Sequence, residues 1–306
     1  MQINGIKIDD TFAEAFNMRA TRVIITAFNY KWAYHAANAM TGFATSVIGC
    51  GVEAGIEREL SADETPDGRV GVAVLLFAMG SKVLMQQLET RMGQCILTCP
   101  TAAAFAGIES EGHLEVDPIN LGAHLRYFGD GFQTSKLISG KRYWRIPVMD
   151  GEFLVQESTG MVRAIGGGNF LILATSQEAA LNAAETAIEA MKKLPNIIMP
   201  FPGGVVRSGS KVGSKYSSMF ASTNDAFCPT LKGLVQTELS DDIESVLEIV
   251  IDGLTFDDIA LSMKFGIEAI CTLGVASGVK RISAGNYGGK LGPHHFKLHE
   301  ILKGCA

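Results

Sequence analysis

The chain has 306 residues, 47% of them hydrophobic and 19% charged, with a formal net charge of −6 and a pI near 5.6. This length is long for one hydrophobic core and predicts two lobes, and the mild acidity argues against a nucleic-acid binder or a basic membrane-surface protein. The six cysteines lack the spacing of a small disulfide scaffold, which favours reduced thiols.

The amino terminus has no basic region followed by an apolar core, so no secretory signal is predicted. The longest apolar run, residues 70–80, is too short to span a bilayer. We therefore expect a cytoplasmic protein with no membrane partner.

Two strand–helix–strand units are predicted in the first half of the chain. The predicted elements are a strand at 22–28, a helix at 30–40, a strand at 45–48, a strand at 70–77, a helix at 81–92 with Ser81 as its N-cap, and a strand at 94–98. The polar, Pro- and Gly-containing residues 53–68 are predicted to form a loop. The glycine-rich residues 106–133 are predicted to form a long connection.

The second half repeats this scheme. A tight turn at Asp150-Gly151 joins strands at 143–148 and 152–155. The elements that follow are a strand at 169–174, a helix from the N-cap Ser176 to about residue 193, a strand at 245–253, a helix at 256–270 and a strand at 279–283. The sequence thus predicts an α+β protein with two ferredoxin-like (split βαβ) α/β-sandwich lobes in tandem, residues 1–148 and 149–306.

One acid, Glu248, lies in the middle of the aliphatic strand SVLEIVIDG at 245–253. Strand side chains alternate, so Val246, Glu248 and Val250 should share one face. If that face is covered, desolvation raises the pKa of Glu248, which then persists as a neutral hydrogen-bond donor. The alternative is an edge strand with Glu248 in water.

Several other patterns do not identify a site. The glycines before Asn169 precede a strand, whereas nucleotide loops follow a strand and open a helix. The Gly-Ser-Lys repeats around Lys211 and Lys215 miss the Walker spacing. The histidines at 294, 295 and 299, and the cysteines at 95 and 99, do not have zinc-ligand spacing, so no metal is predicted.

Residues 200–229 combine turn-forming glycine and proline with short polar groups at 222–225 and nearby aromatics. This composition suits a pocket for a heteroaromatic ligand with polar edges. It suits an ordinary structured loop equally well.

Over nearly its entire length the sequence resembles the formylmethanofuran:tetrahydromethanopterin formyltransferase family. The segments that carry the resemblance, in chain order, are Asn4-Gly5, Asp10–Phe16, Thr41-Gly42-Phe43, Glu53-Ala54-Gly55, Thr65–Arg69, Gly93–Cys95, Phe128–Gly131, Gly151-Glu152-Phe153, Gly167–Phe170, Pro200–Gly204, Lys211–Lys215, Ser222–Asp225, Cys228-Pro229-Thr230, Glu248–Gly253 and Ser283–Gly292.

The resemblance implies a duplicated ferredoxin-like fold, no prosthetic group, and assembly as a homodimer or homotetramer. It implies reversible transfer of a formyl group between methanofuran and N5 of tetrahydromethanopterin, by direct attack in a ternary complex. The family's acid falls at Glu248, which as a neutral donor would stabilise the oxyanion. The remaining expected substrate contacts are Ser222, Asn224, Asp225, Phe201, Pro202, Gly203, Gly204, Lys211 and Lys215. Asn224 and Asp225 are expected on the pterin side, residues 201–204 are expected to shape the cleft, and the two lysines are expected to meet acidic coenzyme tails. The alternative for all of these residues is a purely structural role.

The modest charge and the segments at 106–119 and 296–306 suggest the methylotrophic bacterial branch of the family. There the transferase resembles a subunit of a formyltransferase/hydrolase complex that releases formate. The alternative function is therefore an interaction or scaffold subunit of that complex with little activity alone. A hydrolase acting alone would lack a metal or nucleophile set.

Overall fold

The structure is a computed structural model that describes residues 1–109 and 116–304. Residues 110–115, which belong to the predicted connection at 106–133, and residues 305–306 lie outside the described range. The fold is mixed α/β. Its strands are β1 (Gln2–Ile3), β2 (Ile6–Ile8), β3 (Phe12–Thr26), β4 (Glu53–Leu60), β5 (Gly71–Ala78), β6 (Ala103–Ala106), β7 (Asp117–Asn120), β8 (Thr134–Ile138), β9 (Lys141–Val148), β10 (Gly151–Gln156), β11 (Ser158–Ala174), β12 (Ile197–Ile198), β13 (Lys211–Val212), β14 (Ala221–Ser222), β15 (Ser245–Gly253), β16 (Val279–Ser283) and β17 (His294–Lys297). Its α-helices are α1 (Tyr30–Thr41), α2 (Val47–Cys50), α3 (Ser81–Arg91), α4 (Gln177–Met191), α5 (Phe256–Leu273) and α6 (Leu298–Lys303).

The chain divides into two compact units. Residues 18–164 form the middle unit, and residues 1–17 together with 165–306 form the terminal unit. Strands β3 and β11 each contribute residues to both units, so this division falls at different residues from the predicted boundary after residue 148.

The middle unit is built on four antiparallel strands in the order β6-β3-β5-β4. Helix α1 connects β3 to β4, and α3 connects β5 to β6. Alternate residues of the strands, such as Val23 and Val74, pack with Leu84 and Leu88 of α3 in one buried cluster. β10 extends this sheet as a parallel neighbour of β6 and pairs antiparallel with β9, which in turn pairs antiparallel with β8.

For two segments of this unit the predicted type of secondary structure is wrong. Residues 53–60 form strand β4 and not a loop, because pairing with β5 outweighs their polar composition. The carboxylate of Glu57 is accommodated by a two-pronged ion pair with Arg22, at 2.6 and 2.7 Å. Residues 47–50 form the short helix α2, capped by Ser46, where a strand was predicted.

The predicted strand at 94–98 is also wrong. Residues Met92–Ile96 form a π-helical turn that continues α3, and the strand comes later as β6. The N-cap of α3 is Gly80, and the predicted cap Ser81 is its first helical residue. The sequence's apolar residues here fill a helix face, since Met92 and Ile96 are buried in the same cluster as Leu88.

The terminal unit has four antiparallel strands in the order β16-β11-β15-β12. Helix α4 connects β11 to β12, and α5 lies between β15 and β16. The predicted N-cap Ser176 is confirmed, because its hydroxyl accepts a hydrogen bond from the Ala179 N–H at 3.1 Å. At the edges, β2 pairs with β16, and β17 pairs with residues 12–15 of β3.

Close packing of α5 on this sheet explains one of the glycines before Asn169. A Cβ at Gly168 would lie 2.3 Å from Cγ2 of Ile259 on α5. That separation is far inside van der Waals contact, so only glycine lets the helix approach β11 this closely. The glycine-rich segment is therefore a structural feature of the sheet–helix interface.

Candidate active site

Glu248 sits at the centre of β15, whose helix-side face is buried and whose opposite face is partly covered. Ile249 and Ile251 point to the helix side and pack in the core with Ile259 of α5. Val246 packs on the opposite side with Leu171, in a cluster separate from the helix-side core. Because alternate residues share a face, Glu248 lies on the side away from the helices. The predicted alternation of this strand is confirmed.

The sheet register fixes the surroundings of Glu248. Leu171 of β11 lies directly opposite Glu248, and Ser283 of β16 lies directly opposite Leu171. Directly paired residues point to the same face. Ser283 and Glu248 therefore face the same side, about two strand spacings or roughly 10 Å apart.

The electrostatics of Glu248 match the prediction of a desolvated acid. The residue retains some exposed surface, yet protein atoms surround its carboxyl closely enough that burial raises the pKa from 4.5 to about 7. Desolvation is the cause, since it penalises the charged form. Glu248 can therefore carry its proton at neutral pH.

The segment before β13 pairs with β15 at Glu248, on the side of the strand opposite to β11. The Val206 N–H donates to the Glu248 carbonyl at 2.8 Å, and the Glu248 N–H donates to the Val206 carbonyl at 2.9 Å. The predicted turn Phe201–Gly204 leads directly into this pairing. Gly204 is buried with φ +80°, and an added Cβ would lie 2.5 Å from Cδ1 of Ile188 on α4. The turn therefore positions Val206 beside Glu248.

The predicted polar cluster at 222–225 is held by contacts within its own loop. β13 pairs with β14, and Ser222 donates to the Gly213 carbonyl at 2.7 Å. Lys211 and Asp225 form an ion pair at 2.7 Å, which lowers the pKa of Asp225. Both side chains remain substantially exposed, as does Lys215. Lys211 thus meets a partner within the chain.

A polar cleft of about 520 Å³ lies on the Glu248 side of the terminal unit. Ser283 lines it, which places the cleft on the face defined by the sheet register. Asn224 lines it too, together with the ion pair between Arg281 and Asp9 at 2.6 Å. Among the predicted contacts, the structure therefore brings Asn224 to the cleft, while Asp225, Ser222 and the lysines do not line it.

A loop at residues 285–292, for which the sequence alone indicates no role, is tied to a buried carboxylate. Glu14 is only 1% exposed, and its carboxylate accepts hydrogen bonds from four backbone N–H groups between 2.6 and 2.8 Å. The donors are Tyr287, Gly289, Leu291 and Gly292. Burial alone would raise the pKa of Glu14, but these four donors outweigh it and hold the pKa at about 2.

A second anchor holds the start of the same loop. The Asn169 side chain accepts from the Gly285 N–H at 2.6 Å and donates to the Gly285 carbonyl at 3.2 Å. Tyr287, which donates to Glu14, follows Gly285 by two residues, and its ring lies 6.2 Å from that of Phe16. Burial raises the pKa of Tyr287, and the negative charge of Glu248 raises it further. Tyr287 therefore lies within electrostatic reach of Glu248.

The remaining sequence patterns lie elsewhere. Among the described residues, no three His, Cys, Asp or Glu side chains come together in a way that could hold a metal ion. No helix within residues 1–109 and 116–304 is both long and apolar enough to cross a membrane. A larger cleft of about 1070 Å³ in the middle unit is lined by residues such as Leu97, Phe128 and Met149, and none of the predicted site residues lines it.

Comparison with known proteins identifies the family. Two protein-family models match the chain. The family model for formylmethanofuran-tetrahydromethanopterin formyltransferase matches residues 1–148, and the family model for the FTR proximal lobe matches residues 151–301. A formylmethanofuran–tetrahydromethanopterin formyltransferase from Methylobacillus flagellatus is 73% identical over 302 residues, which cover 99% of this chain and 100% of that protein.

Two solved structures share the fold. The formylmethanofuran:tetrahydromethanopterin formyltransferase from Methanosarcina barkeri is 48% identical with a TM-score of 0.91, over 98% of this chain and 100% of that one. A chain of the formyltransferase/hydrolase complex from Methylorubrum extorquens, crystallised with methylofuran, is 53% identical with a TM-score of 0.95, over 99% of this chain and 98% of that one. The two-lobe, mixed α/β organisation is thus common to these proteins.

Proposed function

The chain belongs to the formylmethanofuran–tetrahydromethanopterin formyltransferase family, and from this premise we propose that Glu248 is the catalytic acid of its reaction. The chain is a formyltransferase, with methanofuran and tetrahydromethanopterin as its coenzyme substrates. The observation that supports the role of Glu248 is its desolvated carboxyl, with a pKa of about 7, on the face that carries the polar cleft.

The proposed chemistry is direct transfer within a ternary complex. N5 of the pterin attacks the formyl carbon of formylmethanofuran, a new C–N bond forms, and the carbonyl oxygen becomes negatively charged. Collapse of this tetrahedral intermediate breaks the C–N bond to methanofuran. N5 loses one proton and the departing methanofuran amine gains one, so the protons balance. Holding both coenzymes together removes the entropic cost of a bimolecular encounter.

Glu248 contributes as a neutral hydrogen-bond donor to the developing oxyanion. One such donor in a dry site is worth about 3–4 kcal/mol in the transition state. An ionised Glu248 would instead repel the oxyanion. Because its pKa is about 7, about half of the molecules carry the neutral acid at pH 7.

Substrate contacts are proposed on both sides of Glu248. Asn224, which lines the polar cleft, is the best placed of the polar groups for the pterin edge. Asp225 belongs to the pterin side as well, with its charge set by Lys211. The turn Phe201–Gly204 does not line that cleft, but it leads into Val206 beside Glu248 and is proposed to shape the substrate site there. The exposed Lys215 is proposed to meet an acidic coenzyme tail.

The fold of each unit is proposed to be the ferredoxin-like split βαβ sandwich. In that plan the strand–helix–strand pairs interleave as fourth, first, third, second. Both units support this plan. Their antiparallel strand orders are β6-β3-β5-β4 and β16-β11-β15-β12, and each strand–helix–strand pair contains a helix that connects its two strands.

The assembly is proposed to include a hydrolase partner. The support is the similarity to a chain of the Methylorubrum extorquens formyltransferase/hydrolase complex. The second candidate function, a scaffold subunit with little activity alone, follows from the same similarity. We also propose that the chain forms a homodimer or homotetramer, as the family resemblance implies.

A formyl-transfer assay on the isolated chain, with both coenzymes, tests the proposal. Turnover that falls at least about 100-fold in Glu248→Ala supports Glu248 as the catalytic acid. No turnover by the isolated chain, with turnover restored by a hydrolase partner, would favour the scaffold function. Equal rates for the native chain and Glu248→Ala would remove Glu248 from the mechanism.

A further inference from the structure

Glu14 is a buried carboxylate that takes no direct part in the proposed chemistry. Its hydrogen bonds go to four backbone N–H groups of one short loop, and the distances of 2.6–2.8 Å are those of charge-assisted bonds. A buried anion so fully satisfied fixes the loop backbone against β3. Without the carboxylate, four N–H donors would lose their acceptor together.

The loop matters because of the side chain it carries. Tyr287 is the first of the four donors, and its side chain lies within electrostatic reach of Glu248. The start of the loop also lies on the same face of the sheet as Glu248, because Gly285 and Asn286 line the polar cleft together with Ser283. The loop thus meets the surroundings of Glu248 from the side opposite to α5.

Glu14 ties the loop to a strand that is distant from it in the sequence. Glu14 belongs to β3, whereas Tyr287 lies 273 residues later. The Asn169 anchor holds only the first residue of the loop, at Gly285. Beyond Gly285, Glu14 receives four of the loop's backbone N–H groups at 2.6–2.8 Å. The Asn286 side chain adds two longer hydrogen bonds, to Thr11 at 3.3 Å and to the Phe12 carbonyl at 3.2 Å.

We propose that Glu14 is a positioning residue of the formyl-transfer site, which fixes the 287–292 loop so that Tyr287 stays beside Glu248. Tyr287 in turn helps to exclude water from the catalytic carboxyl. This inference rests on the proposed role of Glu248 and adds the device that keeps its surroundings in place. Misplacement of a catalytic group by about 1 Å can cost about 100-fold in rate.

Glu14→Gln is the first test, with Glu57→Gln as its matched control. Glu57 is also a buried carboxylate, but it pairs with Arg22 in the middle unit. Both variants lose a buried charge, so both should lower the melting temperature. We expect only Glu14→Gln to reduce kcat for formyl transfer, by about 10- to 100-fold, with a smaller change in KM. Equal kcat for the two variants would overturn the proposal.

A double-mutant cycle with Tyr287→Ala separates positioning from general stability. If Glu14 acts through Tyr287, Glu14→Gln should reduce kcat by less than about 2-fold further once Tyr287 is removed. Effects that multiply in full would show that Glu14 acts independently of Tyr287 and would overturn the proposal. An unchanged kcat in Tyr287→Ala alone would do the same.

Gly289→Ala provides the same test if Glu14→Gln does not fold. Gly289 donates to Glu14 and has φ +71°, a conformation that alanine adopts only with strain. We expect this variant to lower kcat and to be non-additive with Tyr287→Ala, and a normal kcat would count against the inference. Full activity of Glu248→Ala would instead remove the proposed function, whatever the outcome at Glu14.

Discussion

Replacing Glu248 with glutamine should remove the pH dependence of formyl transfer while keeping part of the rate. With a pKa of about 7, the neutral fraction of Glu248 is about 90% at pH 6, 50% at pH 7, 10% at pH 8 and 1% at pH 9. The rate of the native chain should therefore fall about 50-fold between pH 7 and pH 9. Glutamine is always neutral and always a donor, so the rate of Glu248→Gln should stay nearly flat over that range.

The measurement is kcat for formyl transfer from pH 6 to pH 9 at saturating concentrations of both coenzymes. Glu248→Ala is the control, because it cannot donate at any pH and should lose about 100- to 1,000-fold in kcat at pH 6. A descending limb above pH 7 that persists unchanged in Glu248→Gln would show that another group titrates. The reasoning from desolvation would then be refuted.

Three further outcomes are expected. Glu248 loses its proton more readily in the unfolded chain than in the folded one. The free energy of unfolding of the native chain should therefore fall by up to about 3 kcal/mol as pH rises from about 4.5 to 7. Urea unfolding should show no such fall in Glu248→Gln, and an equal fall in that variant would contradict the prediction. Gly204→Ala should cost about 1–3 kcal/mol, because it combines a positive φ with a clash on α4; Gly203→Ala, at φ +62° in open space, is the control, and equal melting temperatures for the two variants would refute the clash. Lys215→Ala should raise KM for a coenzyme with an acidic tail more than Lys211→Ala does, because Lys211 already has an ion-pair partner; equal KM values, measured at low salt, would remove Lys215 from substrate binding.

The sequence predicted the elements whose local pattern agrees with their environment. β15 can be predicted from the sequence because aliphatic residues continue on both sides of Glu248. β16 is likewise found at the predicted residues, Val279–Ser283. β4 was missed because its polar residues suggest a loop, whereas Glu57 is satisfied by Arg22, which lies 35 residues earlier. No local rule reveals such a partner.

The same limit applies to the candidate site. Glu248 could be found because one acid in an apolar strand is conspicuous. Glu14 lies in a motif, DTFAEAF, that contributed to the family resemblance, but its four N–H partners lie 273–278 residues away. Their role appears only when the chain is folded.

Two carboxylates of the terminal unit, Glu14 and Glu248, are both desolvated, yet they have opposite pKa shifts. Desolvation raises the pKa of both, but Glu14 receives four backbone N–H donors and its pKa falls to about 2. For Glu248, desolvation acts without such compensation and raises the pKa to about 7. A carboxylate of the first kind stays charged and holds structure, whereas one of the second kind can keep a proton at neutral pH. The supply of backbone donors, more than the depth of burial, therefore decides which acid can serve the reaction.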